Sequence, residues 1–202
     1  MIYLDNAATT YPKPEEVYRA LDAFARFSMG NPGRGGHQLA VASERVIAEC
    51  RRQLCRLLGA EEPERIVFTL NGTDALNAAI KGTIRDGDHV VTGVLEHNSV
   101  LRPLAGLQRA GRISVSRIPC DSEGYYQVRD VEAALRADTR LVVLTHASNV
   151  LGTVQPLEAI GKVCRRHGAL FLVDAAQSVG AWPIHVQEQG IDLLAAPGHK
   201  SL

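Results

Sequence analysis

Apolar positions first recur at helical spacing. Over residues 14–27, Val17, Leu21 and Phe24 fall on one side of a predicted helix, and over 38–58 a second stripe runs through Leu39, Ala42, Val46, Cys50, Leu54 and Leu57 before stopping at Gly59. Between them, Gly30-Asn31-Pro32-Gly33-Arg34-Gly35-Gly36 breaks the pattern. From residue 66 the period changes. Short β-rich runs at 66–70, 89–94, 113–118, 141–145, 170–173 and 191–195 alternate with helical stretches at 75–84, 99–110, 128–135 and 157–167. The strand runs are nearly continuous in apolar residues, as a sheet covered on both faces requires. Short connections between alternating strands and helices imply crossovers and a largely parallel sheet. The expected fold is therefore a layered α/β domain, with no internal repeat, and ligands are expected beyond the carboxyl ends of its strands.

Composition narrows the class. The chain has 202 residues, 46% hydrophobic and 22% charged, which excludes a disordered, collagenous or coiled-coil protein. Acidic and basic residues balance at 22 each, so nothing marks nucleic acid or an anionic membrane as a partner. No apolar run approaches the roughly 18 residues of a membrane span, and the N-terminus lacks the pattern of a signal peptide. Cys50, Cys55, Cys120 and Cys164 show neither C-x-x-C nor metal spacing with histidine. They read as buried or bystander thiols in a cytoplasmic protein, and no metal site is expected. The basic residues are lopsided: 18 are arginine and only Lys13, Lys81, Lys162 and Lys200 are lysine.

The strand ends carry the candidate chemistry. After 66–70, Asn71-Gly72-Thr73-Asp74 opens a helix, and such a glycine turn offers backbone N–H groups and a hydroxyl to a phosphate, or simply caps the helix. After 89–94 comes Glu96-His97-Asn98-Ser99, whose histidine could stack on a flat ring or move protons, or serve as an ordinary loop residue. Asn149 offers an amide, or a turn. Asp174 ends an apolar run, where a carboxylate is costly to desolvate unless it meets a cation or donors. Lys200 stands just past 191–195, either as an amine depressed towards neutrality and able to act as a nucleophile, or as a surface residue beyond a turn. Each bland reading stands alone; five such groups at one edge of one sheet form a parts list. A phosphate seat, a ring-stacking side chain, an amide, a buried acid and a lysine are what a pyridoxal 5′-phosphate enzyme needs. Neither a P-loop nor a G-x-G-x-x-G after a strand is present, which argues against nucleotide and dinucleotide enzymes.

Five stretches also carry a resemblance: Tyr3-Leu4-Asp5-Asn6-Ala7-Ala8-Thr9-Thr10, Asn71-Gly72-Thr73-Asp74-Ala75, Ser148-Asn149-Val150-Leu151-Gly152, Asp174-Ala175-Ala176-Gln177-Ser178 and Gly198-His199-Lys200. In this order they resemble class V aminotransferase-fold pyridoxal-phosphate enzymes, within them the cysteine desulfurase and selenocysteine lyase group. The resemblance implies the large domain of the fold type I architecture, a mostly parallel, seven-stranded-type sheet with helices on both faces, incomplete at the C-terminus. It implies an N-terminal segment, 1–28, near a small domain, and a cofactor-binding large domain over 29–202. Lys200 would carry the cofactor in imine linkage and later move protons, with His97 stacking on the ring and assisting. Asp174 would pair with the pyridine nitrogen; Asn149 and Gln177 would address the ring hydroxyl. Gly72, Thr73, Asp74 and His199 would hold the phosphate, while Asn6, Ala8, Thr9 and Arg34 would lie near the substrate.

The implied reaction converts L-cysteine to L-alanine with sulfur passed to an enzyme cysteine, in a homodimer served by a sulfur-acceptor protein. Another class V reaction (an aminotransferase, a selenocysteine lyase or another lyase) and a non-catalytic cofactor-binding domain are the alternatives. Two departures stand out. Pro197 occupies a position where many desulfurases have a phosphate-holding serine, and the chain stops at Leu202, where family members continue for about as long again. The expectation is an N-terminal fragment, inactive alone, lacking the carboxylate-binding arginine and the sulfur-accepting loop cysteine.

Overall fold

The computed structural model describes residues 2–33 and 35–202. They form two compact units, one running to Val67 and one from Phe68 to Leu202. In the first, α1 (Glu15–Phe27) sets Glu15 and Glu16 in its first turn and Arg26 in its last, opposing the helix dipole. The second helix, α2 (Gln38–Leu58), opens on His37, whose Nδ1 accepts the Ala40 amide at 3.3 Å, and closes on Gly59 in the left-handed conformation, φ 61°. Ser43 of α2 donates to the Ser28 carbonyl at 2.7 Å and accepts the Gly30 amide at 3.0 Å, tying the start of the glycine-rich turn to the helix.

The second unit is the layered α/β domain. Its elements are α3 (Gly72–Thr83), β1 (His89–Gly93), α4 (Asn98–Arg109), β2 (Ser114–Ile118), α5 (Val128–Ala134), β3 (Thr139–Thr145), α6 (Leu157–His167), β4 (Leu170–Asp174) and β5 (Leu193–Ala195). The five strands are all parallel, in the order β2-β1-β3-β4-β5. The chain leaves β1 first for β2 on one side, then returns to β3 on the other, so the sheet has its topological switch point between β1 and β3.

Period-2 alternation distributes the strands' apolar residues to two covered faces. Register aligns Val143 with Leu172 and Thr145 with Asp174. On that face Val90, Leu141, Val143 and Leu172 pack with Leu76 and Ile80 of α3 and Val100 and Leu104 of α4. The intervening residues Val91, Val142, Leu144, Phe171 and Val173 are equally buried, and α5 and α6, packed against β2 and β4, bury Val131, Ile160 and Cys164. At the opposite edge from the strand carboxyl ends, fully buried His89 is bonded to Thr139 Oγ1 at 2.8 Å and Ser116 Oγ at 2.9 Å, joining three strands. Burial keeps this imidazole below its ordinary pKa.

Differences from the sequence pattern have local causes. The helix expected from 75 begins at Gly72, because Asn71 Oδ1 accepts the Asp74 amide at 2.9 Å and caps it. The strand expected from 191 begins at Leu193, because Asp192 turns its carboxylate to the Phe171 amide at 2.8 Å. The strand expected at 66–70 does not form. Its composition suits a strand, but among the described residues no neighbour offers it a ladder. Local bonds engage it instead: Leu70 N–H donates to Asp74 Oδ2 at 3.3 Å and Thr69 Oγ1 to the Asn71 carbonyl at 3.0 Å, while Val67 and Leu70 stay largely exposed.

Gly161 gives the packing a measurable handle. A Cβ built on this α6 residue would lie 1.9 Å from the Gln189 carbonyl oxygen. In an open helix Gly→Ala would stabilise by up to about 1 kcal/mol; here overpacking against backbone reverses the sign. Gly161→Ala is expected to destabilise by about 2 kcal/mol, lowering the melting temperature by several degrees in a thermal scan of the full chain.

Candidate active site

The carboxyl ends of β1, β3, β4 and β5 each release a loop bearing one of the residues singled out from the sequence. At β4 this is Asp174, 4% exposed, whose Oδ1 accepts the Ala176 amide at 3.0 Å. Alternation along the strand puts it on the α3–α4 side of the sheet, the side of Leu172. Burial pushes its carboxyl above the usual range, and the Ala176 amide, His97 and Lys200 pull it back. Two side chains separated from it by long stretches of sequence, 77 residues before and 26 after, therefore face one buried acid.

His97 caps α4. Its Nδ1 accepts the Ser99 amide at 3.1 Å and lies 2.8 Å from the Ser99 hydroxyl. Accepting from a backbone donor requires an unprotonated Nδ1, so the neutral ring carries its proton on Nε2. The Ser99 hydroxyl also meets Thr73 Oγ1 at 2.7 Å, linking the first turns of α3 and α4. Around them opens a cleft of about 560 Å³ lined by Thr73, Asn77, His97, Asn98, Ser99 and Arg102, with Pro103. Ser99 was missed in the sequence reading; its only signal is its place two residues after a histidine at a helix start.

The first turn of α3 has the makings of an anion seat. Asn71 serves the Asp74 amide, which leaves the amides of Gly72 and Thr73 without an acceptor inside the helix. Asp74 itself accepts from Leu70 and braces the turn. The glycine also lets another loop approach: a Cβ on Gly72 would sit 3.6 Å from Pro197 Cδ, which places the residues leading to His199 and Lys200 against this turn. His199 is exposed and Lys200 half-buried. On the other flank, a Cβ on Gly180 would meet the Ser201 carbonyl oxygen at 2.0 Å, so the loop carrying Gln177 touches the backbone just beyond Lys200.

Asn149 sits exposed at the tip of the loop after β3, held by buried Ser148, whose Oγ accepts the amides of Val150 and Leu151 at 3.3 and 3.1 Å. His146, 2% exposed, donates its amide to the Asp174 carbonyl at 2.9 Å; burial drops its imidazole pKa to about 4, so it is neutral. Gly72, Thr73, His97, Asn149, Asp174, Gln177, His199 and Lys200 thus all lie at one edge of the second unit. Asn6, Ala8 and Thr9 belong to the first unit, in a turn tied by Tyr11 N–H to Asn6 Oδ1 at 3.2 Å and by the Tyr3 hydroxyl to the Thr9 carbonyl at 2.9 Å. Arg34 lies outside the described residues. Of the cysteines, Cys55 and Cys164 are buried, the latter's thiol pushed up to about 12 by burial; Cys120 is half-buried and Cys50 exposed.

Known proteins share this arrangement. Residues 2–202 match the aminotransferase class-V family. A cysteine desulfurase IscS of Dictyoglomus turgidum is 37% identical over 98% of this chain and 50% of its own length, and a probable cysteine desulfurase of Methanothermobacter thermautotrophicus is 40% identical over 98% and 49%. Among solved structures, the apo cysteine desulfurase of Thermococcus onnurineus superposes with a TM-score of 0.91 at 34% identity, over 99% of this chain and 50% of that one. A structure described as SspA in complex with cysteine gives 0.92 at 34% identity, over 99% and 58%. The chain spans about half the length of the curated relatives it matches. With the family matched along nearly its whole length, on the parallel sheet and strand-end loops described above, this chain belongs to the aminotransferase class-V family.

Proposed function

We propose that this chain is the cofactor-binding half of a pyridoxal 5′-phosphate-dependent cysteine desulfurase. The observation that carries the reading is the buried Asp174 carboxylate facing His97 and Lys200 at the carboxyl ends of a parallel sheet, in a chain whose relatives are named cysteine desulfurases. The donor set suits the cofactor. A buried acid with one backbone donor has room for a cationic ring nitrogen, the first turn of α3 has free amides for a phosphate, and Lys200 is the one lysine at this edge.

When bound, the cofactor supplies an electron sink for the bond-breaking at the substrate's α-carbon. The chain's own groups do the rest. Asp174, held as an anion, favours a protonated ring nitrogen. The His97 ring would stack on the cofactor, with its Nε2 proton available for transfer. Lys200 would hold the cofactor through its Nζ amine and would carry a proton in the reaction. Gly72 and Thr73 bind the phosphate with His199, in a turn braced by Asp74, and Asn149 and Gln177 address the ring hydroxyl. Pro197 donates no hydrogen bond, so that share of phosphate binding falls to its neighbours. Asn6, Ala8, Thr9 and Arg34 are the residues we assign to the substrate. The substrate is L-cysteine, and the complete enzyme is a cytoplasmic homodimer that passes sulfur to an acceptor protein.

Two experiments on the complete enzyme test this. The purified protein should be yellow with bound cofactor, Lys200→Ala should abolish the visible band, and borohydride followed by peptide mapping should place the label on Lys200; a label on Lys81 or Lys162 overturns the assignment. Asp174→Asn removes a charge at nearly constant volume, so cofactor should still bind while alanine formation from cysteine falls by roughly three orders of magnitude. Turnover within a few-fold of wild type would reduce Asp174 to the role of a turn brace.

A further inference from the structure

One buried acid at this edge has no part in that scheme. Glu96 immediately precedes His97 and is 6% exposed. Its Oε1 accepts the Tyr126 hydroxyl at 3.1 Å, and that hydroxyl in turn accepts the Leu95 amide at 2.8 Å. Oε2 has no partner. Tyr126 is itself 1% exposed and anchored from behind: its amide donates to Gln155 Oε1 at 2.8 Å, and the Gln155 amide donates to the His146 carbonyl at 2.8 Å. One hydrogen-bonded chain therefore runs from the loop after β3, through Tyr126, to the loop after β1. Space for it depends on Gly93, where a Cβ would lie 2.0 Å from the Tyr126 hydroxyl oxygen.

We propose that Glu96 is a positioning residue in its neutral acid form: clamped by Tyr126, it fixes the loop that presents His97, and it leaves Asp174 as the one charged carboxylate of the pair. The identity of that charge's partner rests on the cofactor reading above; the clamp does not.

Two neighbouring carboxyl groups in a low-dielectric site do not both ionise at moderate cost. The groups facing Glu96 are Asp174, the Tyr126 hydroxyl and the Thr145 amide, none of them a cation. Those facing Asp174 include His97 and Lys200 as well as the Ala176 amide, and Cys120 faces Tyr126. The shared proton therefore belongs on Glu96. Burial, reinforced by Asp174, raises its pKa to about 8 against the opposing pull of the Thr145 amide and the Tyr126 hydroxyl.

The sign of the pH dependence follows. The unfolded carboxyl loses its proton near 4.5 and the folded one near 8, so the contribution to stability is full below 4.5 and is lost as pH rises to 8.

The experiment compares wild type, Glu96→Gln, Glu96→Ala and Asp174→Asn in the complete enzyme. Infrared spectra at neutral pH should show a protonated-carboxyl band in wild type and Asp174→Asn that Glu96→Gln lacks. Glu96→Gln, which keeps a neutral hydrogen-bonding group, should retain cofactor affinity and turnover within about threefold, whereas Glu96→Ala loses tenfold or more in turnover. The melting temperature of Glu96→Gln should rise relative to wild type between pH 5 and pH 8. A band that survives in Glu96→Gln and vanishes in Asp174→Asn would put the proton on the other acid and overturn the proposal. So would melting temperatures of wild type and Glu96→Gln that run parallel over that pH range. Failure of wild type to bind pyridoxal phosphate would count against the cofactor reading alone, since the infrared and melting measurements need no cofactor.

Discussion

A carboxyl group at the end of an apolar strand, almost wholly out of water and with one amide bonded to it, is the constraint around which this fold is arranged. An ionised Asp174 in that position is tolerable only if positive charge or donors converge on it. The parallel sheet makes convergence possible, because every strand delivers its following loop to the same edge. His97 arrives from β1 and Lys200 from β5, while the loops after β3 and β4 are buttressed by Ser148 and by the close approach of Gly180 to Ser201. The helices contribute through their ends: α3 and α4 bring their first turns together at the Thr73–Ser99 contact, so two helix dipoles present their positive ends at this edge.

Rigidity at this edge comes from polar groups that are themselves buried. Tyr126, Gln155, Glu96 and the backbone of His146 form a continuous chain between loops. A network of this kind in a low-dielectric interior is strong when each member is satisfied and costly when one is lost. The unpaired Glu96 Oε2 marks the place where protonation replaces pairing as the means of tolerating burial. It keeps the negative charge on the residue that Lys200 faces.

Most of the architecture could be read along the chain. The change from helical spacing to alternating β and α runs announced the layered parallel sheet, and α2 falls on residues 38–58 as the stripe and Gly59 predict. The misreading at 66–70 has a plain cause: β propensity describes a side chain's fit to a sheet surface, and without a partner strand that preference has nothing to act on. The candidate residues at the sheet edge were legible because each follows an apolar run and differs from it in chemistry, as Asp174 and Lys200 do. Ser99, Glu96 and Tyr126 were not picked out as functional, since a serine at a helix start, an acid in a loop and a tyrosine before a short helix are ordinary in isolation.

The sequence by itself determined the element order, the two-faced burial of the strands and the set of chemical groups at the loops, because hydrophobic periodicity and residue type are local properties of a chain. Only the tertiary structure decided which of those groups meet. The alignment of Thr145 with Asp174, the contact of Gly72 with Pro197 and the reach of Tyr126 to Glu96 join residues 29 to 125 positions apart. Such meetings depend on strand register, on crossover geometry and on whether a glycine leaves room for a neighbour. Those are properties of packed surfaces, and no single stretch of sequence contains them.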